Sequence, residues 1–136
     1  MGFSFVTEIP SPDVIRERFP LAPELAARKK ERDEEIKKII TGESDKFLVV
    51  VGPCSADNEE AVVDYVSRLV KVQEKTKDRL VIVPRVYTNK PRTTGEGYKG
   101  ITSQPDPEKK PDFLAGLMAM RKMHIRAIKE TGLTAA

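Results

Sequence analysis

Two short apolar runs, separated by one helical pattern, constrain the fold of this chain more than any other feature. Phe47–Val51 is continuously apolar and rich in β-branched residues, and residues 80–86 repeat the pattern. Such runs are typical of parallel strands, which are buried on both faces. Between them, apolar residues recur at helical spacing over residues 62–70, which predicts the crossover helix that parallel strands require. The sequence therefore predicts an α/β fold.

Further helices are predicted on both sides of this unit. A short helix is expected after Ser11, a second over residues 23–41 and a last one over residues 112–130. Serine, proline and aspartate favour the starts of helices, and glycine follows the predicted ends of the second and last helices. We therefore divide the chain into an N-terminal helical extension, residues 1–45, and two β/α units, residues 46–136.

The sequence also indicates where the inner elements begin and end. Asp57 and Glu60 have the spacing of a capping box, which predicts the start of the crossover helix. Pro84 cannot donate a ladder hydrogen bond, so we expect a bulge or a strand end there. Residues 87–111 follow without a helical or strand pattern, and loops of that length are usually functional or disordered.

Two strands that are apolar on both faces need more neighbours than this chain offers. Two helices cannot cover such a sheet and also pair its edges. The sequence ends at residues 133–136, where a third strand is expected. We therefore expect the opening portion of a larger α/β protein. A natural fragment, or a chain that completes its sheet by oligomerising, is the alternative.

Composition narrows the classes of function. Twenty-four basic residues against 21 acidic ones give a net charge of +3, which is too balanced to predict nucleic-acid binding. No apolar run approaches the ~20 residues of a membrane span. The N-terminus lacks a basic signal region, and a single cysteine fits a reducing compartment. We expect a cytoplasmic protein without nucleic-acid or membrane partners.

Residues able to perform chemistry follow each predicted strand, where ligands bind in α/β folds. Cys54, after the first strand, could be a nucleophile, a metal ligand or a buried structural residue, and no nearby histidine activates it. After the second strand come Arg85, Lys90 and Arg92, with Thr93 and two glycines. Forked donors, point charges and accessible amides together favour phosphate or carboxylate binding over a merely solvated loop.

Two motifs resemble those of a known family. LVVVGPCS, residues 48–55, and RVYTNKPRTT, residues 85–94, closely resemble the class I 3-deoxy-arabino-heptulosonate-7-phosphate (DAHP) synthases. GPCS alone is a weak signal, whereas the pair of motifs is highly specific. The resemblance covers residues 11–136, including the charged N-terminal helix. The related 3-deoxy-octulosonate 8-phosphate synthases lack the KPRTT form and are the alternative enzyme family.

This resemblance implies a (β/α)₈ TIM barrel, of which the chain is an incomplete opening part. It implies an enzyme that condenses phosphoenolpyruvate with erythrose 4-phosphate, releasing phosphate, at the start of the shikimate pathway. Cys54 matches a ligand of the required divalent metal, which could be Mn, Fe, Co or Zn. Arg85 and Lys90 match the phosphoenolpyruvate site, with Lys90 also near the aldehyde oxygen. Arg92 and Thr93 match the pocket for the erythrose 4-phosphate phosphate group.

The resemblance also implies that further residues are needed for activity. The remaining metal ligands of the family, a histidine, a glutamate and an aspartate, match no position up to residue 136, and His124 is not one of them. We therefore expect this chain alone to be inactive. A non-catalytic regulatory or oligomerisation fragment is the alternative. The family further implies a homo-oligomer and, in some members, inhibition by an aromatic amino acid.

Overall fold

Two parallel strands lie at the centre of the chain, as the apolar runs predicted. The computed structural model describes residues 2–5 and 8–136. Its elements in chain order are α1 (Pro12–Arg18), α2 (Pro23–Ile40), β1 (Phe47–Val51), α3 (Glu59–Thr76), β2 (Leu80–Pro84) and α4 (Phe113–Thr131). β1 and β2 pair in register, from Phe47 opposite Leu80 to Val51 opposite Pro84. The predicted α/β fold with a parallel sheet is confirmed.

The ends of the elements follow local chemistry, with one correction. β2 ends at Pro84, as its missing amide hydrogen predicted. α4 ends at Gly132, whose φ of 72° suits glycine. The capping residue of α3 is not Asp57 but Asn58, whose side chain accepts a hydrogen bond from the Ala61 amide at 2.9 Å. The capping-box prediction was therefore wrong by one residue, and the helix begins one residue later than it indicated.

The two strands differ in burial. β2 is covered from Val81 to Pro84, because α3 packs against it. β1 is not, since Phe47 and Val50 are 73% and 52% exposed. The main contacts of β1 are with β2 and with α2, and its two exposed side chains point to opposite faces of the sheet. The prediction that both strands are buried on both faces is wrong for β1 within this chain.

Side chains from two helices close part of the outer edge of β2. Gln73 of α3 donates from Nε2 to the Leu80 carbonyl at 2.9 Å and accepts at Oε1 from the Ile82 amide at 2.7 Å. Arg32 of α2 donates from Nη2 to the Ile82 carbonyl at 2.7 Å. An amide side chain thus replaces a neighbouring strand, and the N-terminal extension is hydrogen-bonded to the sheet.

The remaining part of this edge is paired with the last residues of the chain. The Ala136 amide donates to the Pro84 carbonyl at 2.9 Å, and the Ala136 carbonyl accepts from the Val86 amide at 2.7 Å. Residue 136 therefore lies beside β2, at the position expected for a third strand. We expected open edges on both strands, but the outer edge of β2 is hydrogen-bonded along its length.

A cavity of about 590 Å³ lies between α1 and α4. Ile15 of α1 and Leu117 and Ile128 of α4 contribute to its apolar lining. His124 also lines it, and burial lowers the pKa of this side chain, which favours neutral imidazole. None of the helices in the described part of the chain is long and apolar enough to cross a membrane.

The Gln73 contacts predict a specific effect of substitution. Gln73→Leu keeps similar volume but leaves the Ile82 amide without an acceptor, which costs about 1–3 kcal/mol of unfolding free energy. The Ile82 amide should also exchange its hydrogen faster. Lys71→Ala, an exposed change on α3, is the control. Urea unfolding measures the free energy, and amide exchange measures the opening of the Ile82 hydrogen bond. If Gln73→Leu lowers the free energy of unfolding no more than Lys71→Ala does, Gln73 does not have this role.

Candidate functional site

Two loops meet where β1 and β2 end, because parallel strands in register direct their carboxyl ends to the same edge. The Ala56 amide donates to the Tyr87 carbonyl at 2.9 Å and joins the loops. At Gly52 the contact is closer still: a Cβ atom there would lie 1.8 Å from the Arg85 carbonyl oxygen. Only glycine allows this approach, so Gly52 fixes the distance between the two loops.

Arg85 is the first residue after β2, and its side chain reaches back over the β1 loop. Its Nη2 donates to the Pro53 carbonyl at 2.9 Å. The guanidinium carbon also lies 4.8 Å from the centre of the Tyr87 ring. Both partners are neutral, so they orient the guanidinium without compensating its positive charge.

Lys90 and Cys54 come together from the two loops. Lys90 Nζ lies 3.6 Å from Cys54 Sγ, within the range of a hydrogen bond to sulfur. Cys54 is exposed, so the buried structural interpretation of this thiol is wrong within this chain. The Lys90 backbone is held by a hydrogen bond from its amide to the Lys99 carbonyl at 2.8 Å. A thiol and an ammonium group therefore face the same space beside Arg85.

Arg92 and Thr93 lie farther out, in an exposed turn of the β2 loop. Arg92 Nε donates to the Tyr98 carbonyl at 3.0 Å, and the Arg92 carbonyl accepts from the Gly95 amide at 3.0 Å. Gly97 completes the turn with a φ of 83°. Over the described ranges, neither Arg92 nor Thr93 hydrogen-bonds to Cys54, Lys90 or Arg85. The structure thus brings three of the five predicted site residues together and leaves two in the adjoining turn.

The cations of this site have no acidic partners among the described residues. Within residues 2–5 and 8–136, no carboxylate forms an ion pair with Arg85, Lys90 or Arg92. Ten of the other 21 basic side chains do have an acidic partner: Arg16, Lys29, Arg32, Lys37, Lys46, Arg68, Lys77, Arg79, Lys109 and Arg126. Cations that are held by neutral atoms retain their charge for an anionic ligand.

A metal centre is not complete among these residues. Cys54 is the one cysteine of the sequence, and the described part of the chain contains no group of three histidine, cysteine or acidic side chains that could hold a metal ion. A catalytic metal is usually held by at least three protein ligands. The described residues therefore do not complete a metal site, and no reaction step through a metal follows from them.

Several residues of the site were not identified from the sequence. Tyr87 contacts Arg85, and the alternation of an extended chain in Arg85-Val86-Tyr87 could have indicated it. Gly100 has a φ of 99°, and a Cβ there would lie 2.4 Å from a backbone oxygen of the β2 loop. Tyr98 is half-buried, and burial, together with the charge of nearby Asp57, raises its pKa.

Comparisons with known proteins identify a single family. The sequence model of the DAHP synthetase I family matches residues 24–117. A phospho-2-dehydro-3-deoxyheptonate aldolase of Haemophilus influenzae is 37% identical over 131 residues, which cover 96% of this chain and 36% of the relative. A phenylalanine-inhibited aldolase of the same name from Saccharomyces cerevisiae is 33% identical over 119 residues, 88% of this chain and 32% of the relative. A Trp-sensitive aldolase of the same name from Escherichia coli K12 is 33% identical over 131 residues, which cover 96% of this chain and 37% of the relative.

A solved structure agrees with these sequence matches. The phospho-2-dehydro-3-deoxyheptonate aldolase of Francisella tularensis SCHU S4 matches with a TM-score of 0.87 and 29% identity, over 97% of this chain and 38% of that one. The chain thus spans about a third of the length of its relatives. Since the family match covers most of the chain and includes both strand-end loops, the chain belongs to the DAHP synthetase I family.

Proposed function

We propose that this chain supplies part of the substrate site of a DAHP synthase. The complete enzyme condenses phosphoenolpyruvate with erythrose 4-phosphate and water to give DAHP and inorganic phosphate. The proposal rests on one observation above all: Arg85, Lys90 and Arg92 follow one strand within eight residues and, in the described part of the chain, meet neutral partners only. Both substrates carry phosphate groups, and each requires such uncompensated positive charge.

Arg85 and Lys90 bind phosphoenolpyruvate in this proposal. The hydrogen bond to Pro53 uses one of the five donors of the Arg85 guanidinium, which leaves a fork for two anionic oxygens. Lys90 supplies a point charge beside it. Because both loops are fixed by backbone contacts, these cations are oriented before the substrate binds, and little reorganisation is needed.

Lys90 also serves the second substrate. As the enol carbon of phosphoenolpyruvate attacks the aldehyde carbon, negative charge develops on the aldehyde oxygen. The Lys90 ammonium donates a hydrogen bond to that oxygen and then its proton, giving the hydroxyl of the product. Water adds to the resulting cationic carbon and loses a proton, which restores the Lys90 ammonium. The carbon–oxygen bond to phosphate then breaks as the new hydroxyl gives its proton to the leaving phosphate and becomes the ketone. Arg92 and Thr93 hold the erythrose 4-phosphate phosphate group in the turn that Gly95 and Gly97 form.

The proposal includes a divalent metal, Mn, Fe, Co or Zn, that polarises the aldehyde when it is bound. Cys54 contributes one thiolate ligand, and its exposure at the strand end supports this role. The other ligands come from beyond the described residues, since these contain no metal-binding group of three. We therefore propose that residues 1–136 alone do not catalyse the condensation.

The complete enzyme that we propose is a cytoplasmic (β/α)₈ barrel and a homo-oligomer. β1, α3, β2 and α4 form its first two β/α units, after a helical extension that ends near residue 45. Inhibition by an aromatic amino acid is also proposed. The names of relatives support it, because they include Phe-sensitive, phenylalanine-inhibited and Trp-sensitive aldolases.

Arg92→Ala tests the proposed phosphate pocket. In the complete enzyme it should raise the Michaelis constant for erythrose 4-phosphate about ten- to a hundredfold, because one charge-assisted contact of roughly 1.5–3 kcal/mol is lost. The constant for phosphoenolpyruvate should change much less. Lys129→Ala, which removes an exposed charge from the last turn of α4, is the control. Steady-state kinetics, in which each substrate is varied in turn, measure both Michaelis constants. If only the constant for phosphoenolpyruvate rises, Arg92 is assigned to the wrong substrate.

Cys54→Ser tests the proposed metal ligand. The volume hardly changes, so folding should be preserved, but a neutral hydroxyl binds first-row divalent ions far more weakly than a thiolate does. We expect the complete enzyme to lose most of its metal on dialysis, together with most of its activity per folded molecule. Elemental analysis and activity normalised to the folded fraction are the measurements. Full metal occupancy with normal activity in the serine variant would rule out the ligand role.

A further inference from the structure

Tyr87 and Arg85 lie on the same side of a chain that stays extended beyond β2. The Arg85 amide donates to the Val51 carbonyl at 2.8 Å, and the Val86 amide donates to Ala136, so the strand-like backbone continues past Pro84. Successive side chains of an extended chain point to opposite faces. Val86 accordingly points into the core, where it is 6% exposed, while Arg85 and Tyr87 share the face of the site.

The backbone around Tyr87 is fixed on several sides. Its carbonyl accepts a hydrogen bond from the Ala56 amide at 2.9 Å. The following residue, Thr88, contacts the Met120 sulfur of α4 through its hydroxyl at 3.5 Å. The Thr88 carbonyl also lies so close to Gly100 that a Cβ at that glycine would be 2.4 Å away. The ring of Tyr87 therefore extends from a segment with little freedom to move.

The ring contacts Arg85 in a way that retains its charge. The guanidinium carbon lies 4.8 Å from the ring centre, inside the roughly 6 Å range of a cation–π interaction. A carboxylate in the same place would orient the guanidinium too, but it would compete with an anionic substrate. An aromatic face provides a preferred orientation and leaves the in-plane N–H groups free to donate.

We propose that Tyr87 is a positioning residue for the Arg85 guanidinium, and hence for phosphoenolpyruvate. This role rests on the proposed function, because it requires that Arg85 bind that substrate. The ring and the Pro53 carbonyl together hold the guanidinium in the orientation that receives the anion. The Tyr87 hydroxyl is not needed, since the interaction uses the face of the ring.

The test compares two variants of the complete enzyme by calorimetric titration with phosphoenolpyruvate. Tyr87→Leu removes the ring and should raise the dissociation constant about two- to tenfold. Tyr87→Phe retains the ring and should stay within about twofold of the parent enzyme. The Michaelis constant for erythrose 4-phosphate should not change in either variant. The binding stoichiometry gives the fraction of each variant that is folded. If the Tyr87→Leu enzyme does not fold, Tyr87→Met is used in its place.

Arg85→Gln separates this inference from the proposed function. If Tyr87 acts through Arg85, then Tyr87→Leu causes no further loss of phosphoenolpyruvate affinity in the Arg85→Gln enzyme. An equal loss in both backgrounds would overturn the positioning role. If Arg85→Gln weakens phosphoenolpyruvate binding and Tyr87→Leu does not, the positioning role is wrong and the proposed function stands. If Arg85→Gln itself leaves that affinity unchanged, the assignment of Arg85 is wrong, and the role of Tyr87 is overturned with it.

Discussion

The in-register pairing of β1 with β2 is the constraint on which the rest of this structure depends. It directs two loops to the same edge of the sheet, where Gly52 approaches the Arg85 carbonyl too closely for any side chain. A shift of one residue along either strand would turn its side chains to the opposite face and separate Arg85 from Pro53. The register therefore determines both the buried face of β2 and the position of the cations in the site.

The chain uses its basic residues in two distinct ways. Arg126 on α4 is paired with Glu59 and Glu60 at the start of α3 and with Glu130 on its own helix. Its hydrogen bonds to Glu60 lower the pKa of that carboxyl, and its contribution is to hold two helices together. Arg85 and Lys90 at the strand ends have neutral partners instead, a backbone carbonyl and a thiol. Arg126, compensated by carboxylates, joins two helices, whereas the uncompensated Arg85 and Lys90 are available to a ligand.

The elements of the fold could be predicted wherever a local property decides them. β1 follows from its apolar run, the end of β2 follows from the missing amide of Pro84, and the end of α4 follows from Gly132. Predictions that depend on tertiary neighbours were less successful. Phe47 is apolar and yet exposed, because α3 packs against β2 and the contacts of β1 with helices are few. Burial depends on what lies opposite a residue, and no local pattern contains that information.

In the candidate site, too, local sequence indicated some residues, and contacts between distant segments determined the rest. Residue types alone indicated Cys54, Arg85 and Lys90, because cysteine and clustered cations after strands are chemically distinctive. The proximity of Cys54 and Lys90, which are 36 residues apart, required the parallel pairing. Gln73 could not have been identified, since a glutamine on a helix gives no sign that it will hydrogen-bond to a strand edge. Interactions between distant segments become visible only in three dimensions.

The most direct test of the central claim is a crystal structure of the complete enzyme with phosphoenolpyruvate bound. The account predicts that the Arg85 guanidinium and Lys90 Nζ donate to oxygens of the ligand, and that Arg85 keeps its contact with the Pro53 carbonyl. A ligand bound at another edge of the sheet would contradict it. Ion pairs of Arg85 and Lys90 with carboxylates of the enzyme would also contradict it, because their positive charge would then be compensated within the protein.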